Sequence, residues 1–335
     1  MQHTTAEIMG GLGNQLFQIF ALLAYCLRNK LPFYFPTEPI KHGQRKQTYW
    51  QTPLLQSLQP FVKTPPTATP PIFLHEQGFH YQPIPFYDQP IHAKPINAKL
   101  FGYFQSYKYF QDQQAQIYKL LRLQETQELI KTKTAYNYTN LIAVHFRVGD
   151  YINLPQHHPL MPLAYYIKAL SQFLQDQSPA LCETLEQANK NDSIWQILYF
   201  CEKNDQSYVE TQFIQPLQAH PPFHGKFHFQ CIEHTLADWE QLIVMSLCRH
   251  HIIANSTFSW WGAYLLGGKP PTTPTGASAE KEGVVLSQNG GVVLSQRGGV
   301  GVEPPVYYPS TWFGPGMGNK NMSDLFPSHW QQINI

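Results

Sequence analysis

From Leu16 onward, apolar residues recur at Leu16, Ile19, Phe20, Leu23 and Leu27, three or four positions apart. That spacing lines one face of an α-helix. Arg28 and Lys30 follow it, where cations suit the negative end of the helix dipole. A short apolar run, AEIM (residues 6–9), and a glycine turn, GGLGNQ (10–15), precede the helix, and LPFYF (31–35) follows it. Strand, glycine turn, helix and strand in that order form the opening of a Rossmann-like half.

A second alternating series begins near residue 141. LIAVHF (141–146), SIWQILYFC (193–201), KFHFQC (226–231) and HIIA (251–254) are short apolar runs of strand length. Between and after them lie helical patterns: MPLAYYIKALSQFLQ (161–175) with Pro162 in its first turn, DQSYVETQFI (205–214), LADWEQLIVMSLCRH (236–250) with Thr235 as N-cap, and STFSWWGAYLL (256–266) stopped by Gly267-Gly268. Alternating β and α predicts a parallel sheet with right-handed crossovers. Residues 48–98 carry too many prolines for a long helix, and QDQQAQIYKLLRLQETQELIKTKTA (111–135) predicts an amphipathic helix or helix pair. The expected organisation is an α/β protein of two Rossmann-like halves, 1–135 and 136–335, facing a central cleft. Residues 272–303 interrupt the second half as an insertion; an eight-residue tandem repeat, Gly283–Gly290 and Gly291–Gly298, lies within it and reads as a hairpin or a flexible surface duplication.

Composition narrows the function. Charged residues make up only 13% of the 335 positions and the net charge is +1, which leaves no broad footprint for nucleic acid or an anionic membrane, so any anion site is local. The five cysteines (Cys26, Cys182, Cys201, Cys231 and Cys248) are odd in number and form no CxxC, which reads as free thiols in a reducing compartment. The apolar run LFQIFALLAYCL is too short to span a bilayer and no basic leader precedes it, so a cytoplasmic location is expected, with peripheral membrane association left open. The histidines show no HxxxH or carboxylate spacing, so no metal site is expected, and His250 and His251 read as packing residues.

Three strand-to-helix junctions carry candidate chemistry. Gly11 and Gly13 allow backbone N–H groups to approach a phosphate or sugar, with Asn14 and Gln15 as polar contacts; a plain tight turn explains the glycines equally well. In HFRVGDY, His145 and Arg147 share a strand face and Asp150 lies just past its end; Arg147 suits a diphosphate, and the rival reading is an Arg–Asp pair capping the strand. Asn255, Ser256, Thr257 and Ser259 offer an amide, hydroxyls and helix N–H groups to an anion.

GGLGNQLFQ (10–18), GYFQSYKYF (102–110), HFRVGDY (145–151), MSLCRHHIIANSTFSWWGAYL (245–265) and YPSTWF (308–313) together resemble the α-1,2-fucosyltransferases of glycosyltransferase family 11. The resemblance implies a GT-B fold and an inverting, metal-independent transfer from GDP-fucose to the 2-hydroxyl of a β-galactoside acceptor, with no resident cofactor. It also implies that the first half holds the acceptor and the second the donor. Arg147 matches the first arginine of the family's His-x-Arg-Arg-x-Asp motif, and Val148 stands at the second. Glu202 and Gln241 stand where the family carries aspartates. Under the resemblance Arg147 stabilises departing GDP, and His145 or Asp150 serves either as the base or to orient Arg147. A non-catalytic sugar-nucleotide-binding relative and a fucosyltransferase of another linkage are the alternatives.

Overall fold

The structure, a computed structural model, describes residues 3–38, 40, 47–64, 70–86, 97–177, 194–266 and 304–335. The tandem repeat, Gly267-Gly268 and Cys182 lie outside the described residues.

The first half contains β1 (Thr4–Ala6), α1 (Leu12–Asn29), β2 (Phe35–Pro36), β3 (Val62–Lys63), β4 (Ile72–His75) and β5 (Ala98–Phe101). β1, β5 and β4 form a parallel sheet in that order, and β2 pairs with β3. The first strand ends at Ala6, earlier than AEIM predicts, and LPFYF supplies only the two residues of β2. Helix α1 starts at Leu12, inside the glycine stretch, so Gly13, Asn14 and Gln15 belong to its first turn. The 111–135 pattern resolves into α2 (Gln114–Leu121) and α3 (Leu123–Lys133), separated by Arg122 in the left-handed region at φ 52.

The second half contains β6 (Leu141–His145), α4 (Leu163–Asp176), β7 (Trp195–Phe200), α5 (Gln206–Val209), α6 (Gln215–Ala219), β8 (Phe227–Cys231), α7 (Asp238–Leu247), β9 (His250–Ile252), α8 (Thr257–Tyr264), β10 (Val306–Pro309) and β11 (Gln331–Ile333). Among the described residues its six strands are all parallel, in the order β11-β10-β9-β6-β7-β8. All five residues of β6 are buried, as a central strand covered on both faces requires. The N-cap of α7 is Ala237, not Thr235: the Glu240 carboxylate accepts the Ala237 N–H at 2.9 Å, satisfying the helix end from within its own first turn.

Two cores result. One lies between the second sheet and α4 with α5–α6. The other joins the halves, because α8 packs on α1 through aromatic rings: Phe17 meets Trp260 at 4.5 Å and Phe20 meets Trp261 at 4.4 Å between centroids. Trp260 also donates its indole N–H to Leu325 O at 2.9 Å.

His250 and His251 are packing residues, as the sequence suggests. His250 lies edge-on to Phe173 at 5.0 Å and to Trp195 at 5.7 Å. Burial pushes both imidazoles down to about 4. A depressed histidine stabilises the fold above its unfolded pKa of about 6.5, and that contribution is lost as pH falls toward the folded value. Each ring therefore costs up to about 1.4 kcal/mol per pH unit between roughly pH 6.5 and pH 4. Urea unfolding at pH 7.5, 6.0 and 5.0 is expected to show this loss, and His250→Phe to flatten it; a His250→Phe variant with the parental pH slope refutes the assignment.

Candidate functional site

In open α/β sheets the free backbone groups and loops at the carboxyl ends of the strands form the ligand crevice. Here β9, β6 and β7 lie side by side at the centre of the sheet. The segments following them, Ala254–Thr257, Phe146–Asp150 and Cys201–Lys203, therefore meet at one edge. The N-terminus of α1 approaches the same place from the first half. Between them lies a cleft of about 610 Å³.

Gly13 makes this meeting possible. A Cβ on it would sit 2.5 Å from Thr257 C and 2.6 Å from Thr257 O, inside any real contact distance. The first turns of α1 and α8 thus approach backbone to backbone. Gly11, the N-cap of α1, offers no side chain, and neither helix has an acidic residue in its first turn. The leading N–H groups of a helix have no partner within it, and the dipole adds a partial positive charge. Ser256 caps α8 by accepting the Phe258 N–H at 3.3 Å. Two converging helix N-termini without competing carboxylates of their own make an anion cradle.

Arg147 is the principal cation of the cleft. Its guanidinium donates to Glu202 and to Asp150 and lies over the Tyr151 ring, 4.9 Å from the centroid. Burial pulls its pKa down, but Tyr151, Asp150 and Glu202 outweigh burial and the net shift is upward, so it remains charged. Its side chain is 16% exposed, whereas those of Asp150 and Glu202 are 41% and 48% exposed. The arginine is thus fixed while its carboxylate partners reach solvent. Gly149, at φ 41, donates its N–H to Asp205 at 2.8 Å, which ties this loop to the segment after β7. The Tyr151 hydroxyl donates to Asn255 O at 3.1 Å, tying it to the segment after β9.

His145 is buried on the cleft wall. Burial, then the neighbouring Arg147, pushes its imidazole down to about 3, so the ring is neutral at physiological pH. Val148, where the resemblance expects a second arginine, is buried among apolar residues of the second core.

The structure brings Gly11, Gly13, Asn14, His145, Arg147, Asp150, Asn255, Ser256 and Thr257 to the cleft. Gln105 donates to Asn14 Oδ1 at 3.0 Å and so orients its amide. Two expected contacts do not reach the cleft. Gln15 is buried and donates to Gly10 O at 2.9 Å and Gln47 O at 2.8 Å, bracing the glycine turn. Ser259 is fully buried and bonds back to Ser256 O at 3.2 Å inside its own helix. Asn255 lines the cleft, but its side-chain amide donates to Pro159 O at 2.9 Å and Trp312 O at 3.1 Å; it holds loops together and has no side-chain N–H left for an anion. Sequence reasoning gave no site role to Tyr151, Asp238, Trp312 or Phe313, which also line the cleft. The available signal was position: Tyr151 directly follows the Arg147 motif, and Trp312-Phe313 close the YPSTWF stretch.

Gly13→Ala forces a steric overlap with rigid backbone. Overpacking of this kind costs about 1–3 kcal/mol. The variant is expected to melt lower and to lose anion binding; parental stability and binding together would show that the two helix ends are not in contact.

Residues 223–275 match the model of glycosyl transferase family 11. The matched stretch covers β8, α7, β9 and α8. The O-antigen biosynthesis glycosyltransferase WbnK of Escherichia coli is 30% identical over 175 residues, 50% of this chain and 50% of that protein. The chain therefore spans about half the length of the curated relative it matches. Among solved structures, a mutant of Arabidopsis thaliana FUT1 in complex with GDP is 12% identical, covering 79% of this chain and 68% of that one, at a TM-score of 0.40. The fucosyltransferase NodZ from Bradyrhizobium is 10% identical, covering 79% and 93%, at a TM-score of 0.41.

Proposed function

We propose that this chain, whose residues 223–275 match the glycosyl transferase family 11 model, transfers fucose from GDP-fucose to the 2-hydroxyl of a β-galactoside with inversion. The observation that carries the reading is the convergence of Arg147 and two uncapped-by-acid helix N-termini on one cleft. That arrangement suits a diphosphate whose negative charge grows as the glycosyl bond breaks. Fixed donors that need no reorganisation stabilise such charge most effectively. In the proposal no metal bridges the diphosphate: the helix ends and Arg147 take that part, with Asn14 reaching in from the first half.

Arg147 begins bound to two carboxylates, so gripping GDP requires at least one of them to yield. Its fixed guanidinium and their solvent exposure make the exchange geometrically simple. An imidazole with a pKa of about 3 is a poor proton acceptor, so His145 serves to shape the wall and Asp150 is the base of the proposal. The acceptor would enter from the side of Tyr103 and Gln105, at the first half's edge of the cleft.

Turnover of GDP-fucose with lactose and related β-galactosides, without added Mg²⁺, tests the reading. Arg147→Ala is expected to lower kcat/KM by roughly 10²-fold or more, as loss of one preorganised donor does. Its melting temperature should change little, because both ionic partners are substantially solvated. Undiminished transfer by Arg147→Ala refutes the role given to Arg147. A second reading, a sugar-nucleotide-binding relative without transfer, is favoured by the double carboxylate hold on Arg147. Calorimetric binding of GDP with no turnover across the acceptor set would establish it, and linkage analysis of any product separates other fucosyl linkages.

A further inference from the structure

A thiol–thiol–imidazole cluster lies beside the cleft and has no part in the proposed transfer. The Sγ atoms of Cys201 and Cys231 and a ring nitrogen of His234 all lie within 4.8 Å of one another. The sheet brings them together. Cys231 is paired with Tyr199 across β8 and β7, and Cys201 follows Tyr199 by two residues, on the same side of the strand. His234 then folds back from the segment after β8, its Nε2 3.5 Å from the Cys231 Sγ.

The 3.5 Å between the Cys231 Sγ and the His234 Nε2 matches two ligands of one ion, and the Cys201 Sγ lies within 4.8 Å of both. Tetrahedral zinc, with Zn–S near 2.3 Å and Zn–N near 2.0–2.1 Å, places sulfur and nitrogen about 3.6 Å apart and two sulfurs about 3.8 Å apart. Two thiolates and a neutral imidazole are also the donor set that borderline-soft zinc prefers over hard cations. Cys201 is buried, and Cys231 and His234 are partly exposed, so an ion has a path from solvent.

The geometry points to a zinc site formed by Cys201, Cys231 and His234, with its fourth position taken by water. Cys201 and His234 both belong to the cleft wall, and the next residue after Cys201 is Glu202, one of the two carboxylates holding Arg147. The ion would fasten the end of β7 to the loop after β8 and so fix the segment that carries Glu202. Binding releases the thiol protons to solvent as the two Zn–S bonds form, with no change of oxidation state. The inference stands apart from the proposed transfer and requires neither GDP nor fucose.

Metal binding to the full chain tests it, with Zn²⁺ and Co²⁺ as the probes. The purified protein, dialysed against buffered Zn²⁺ under reducing conditions, is expected to retain one ion per chain and to melt at a higher temperature than after chelation. Co²⁺ should give a thiolate-to-cobalt charge-transfer band together with the visible bands of a tetrahedral centre. His234→Ala changes a partly exposed residue and is expected to fold; it should weaken Zn²⁺ retention by roughly 100-fold or more, since even outer partners of metal ligands carry about 10–100-fold. Cys231→Ser should reduce the charge-transfer band. Cys248→Ala, at a buried thiol outside the cluster, should leave stoichiometry and spectrum unchanged. A chain that retains no Zn²⁺ and shows no charge-transfer band overturns the site. So does a freshly purified chain lighter by two hydrogens with two fewer titratable thiols, which would make the Cys201–Cys231 pair a disulfide instead.

Discussion

The contact between Gly13 and the Thr257 backbone sets the geometry on which the cleft depends. A helix start can approach another this closely only where one residue has no side chain. Because α1 is built on the first sheet and α8 follows β9 of the second, that single approach fixes the halves relative to each other at the place where both present unpaired N–H groups. The aromatic core behind it, Phe17 and Phe20 against Trp260 and Trp261, supplies the burial that holds the approach closed. Packing and polarity are thus arranged along one axis, with rings at the back of the two helices and amides at the front.

Much of this was legible in the chain. The alternation from residue 141 onward gave every strand of the second sheet through β9, because central parallel strands are short apolar runs between helical patterns. The three junctions named from residue types do converge. What escaped was rotational. A helix turns about 100° per residue, so once α1 starts at Leu12, Gly13 and Gln15 point to different sides. Gly13 meets Thr257, and Gln15 braces the turn behind it. Ser259 is lost for a similar reason, turned into the body of α8. The start residue of a helix is weakly encoded where glycine permits several, and two residues of error are enough to misplace a side chain.

The cysteines illustrate a different limit. Cys231 and His234 are close in sequence, but Cys201 lies thirty positions earlier, and only the register of β7 against β8 brings it to them. A search for paired cysteines or paired histidines passes over a set assembled across a sheet. Glu202 was visible only as a departure from the family pattern. Its place in the structure, against Arg147, makes it part of the cleft's charge arrangement.

That arrangement bears on how a ligand arrives. Among the described residues, the charged side chains lining the cleft are Arg147 and Lys203 against Asp150, Glu202 and Asp238, two cations facing three carboxylates. Positive side chains do not predominate among them, so the pull on an anion comes from the two helix ends and the fixed guanidinium of Arg147. In the proposed reading capture occurs at short range, with the ligand seated against the helix ends and Arg147 trading one partner for another. On that reading selectivity among anions lies in fit, because the field of a helix end fades within its first turn and rewards only a group that reaches it.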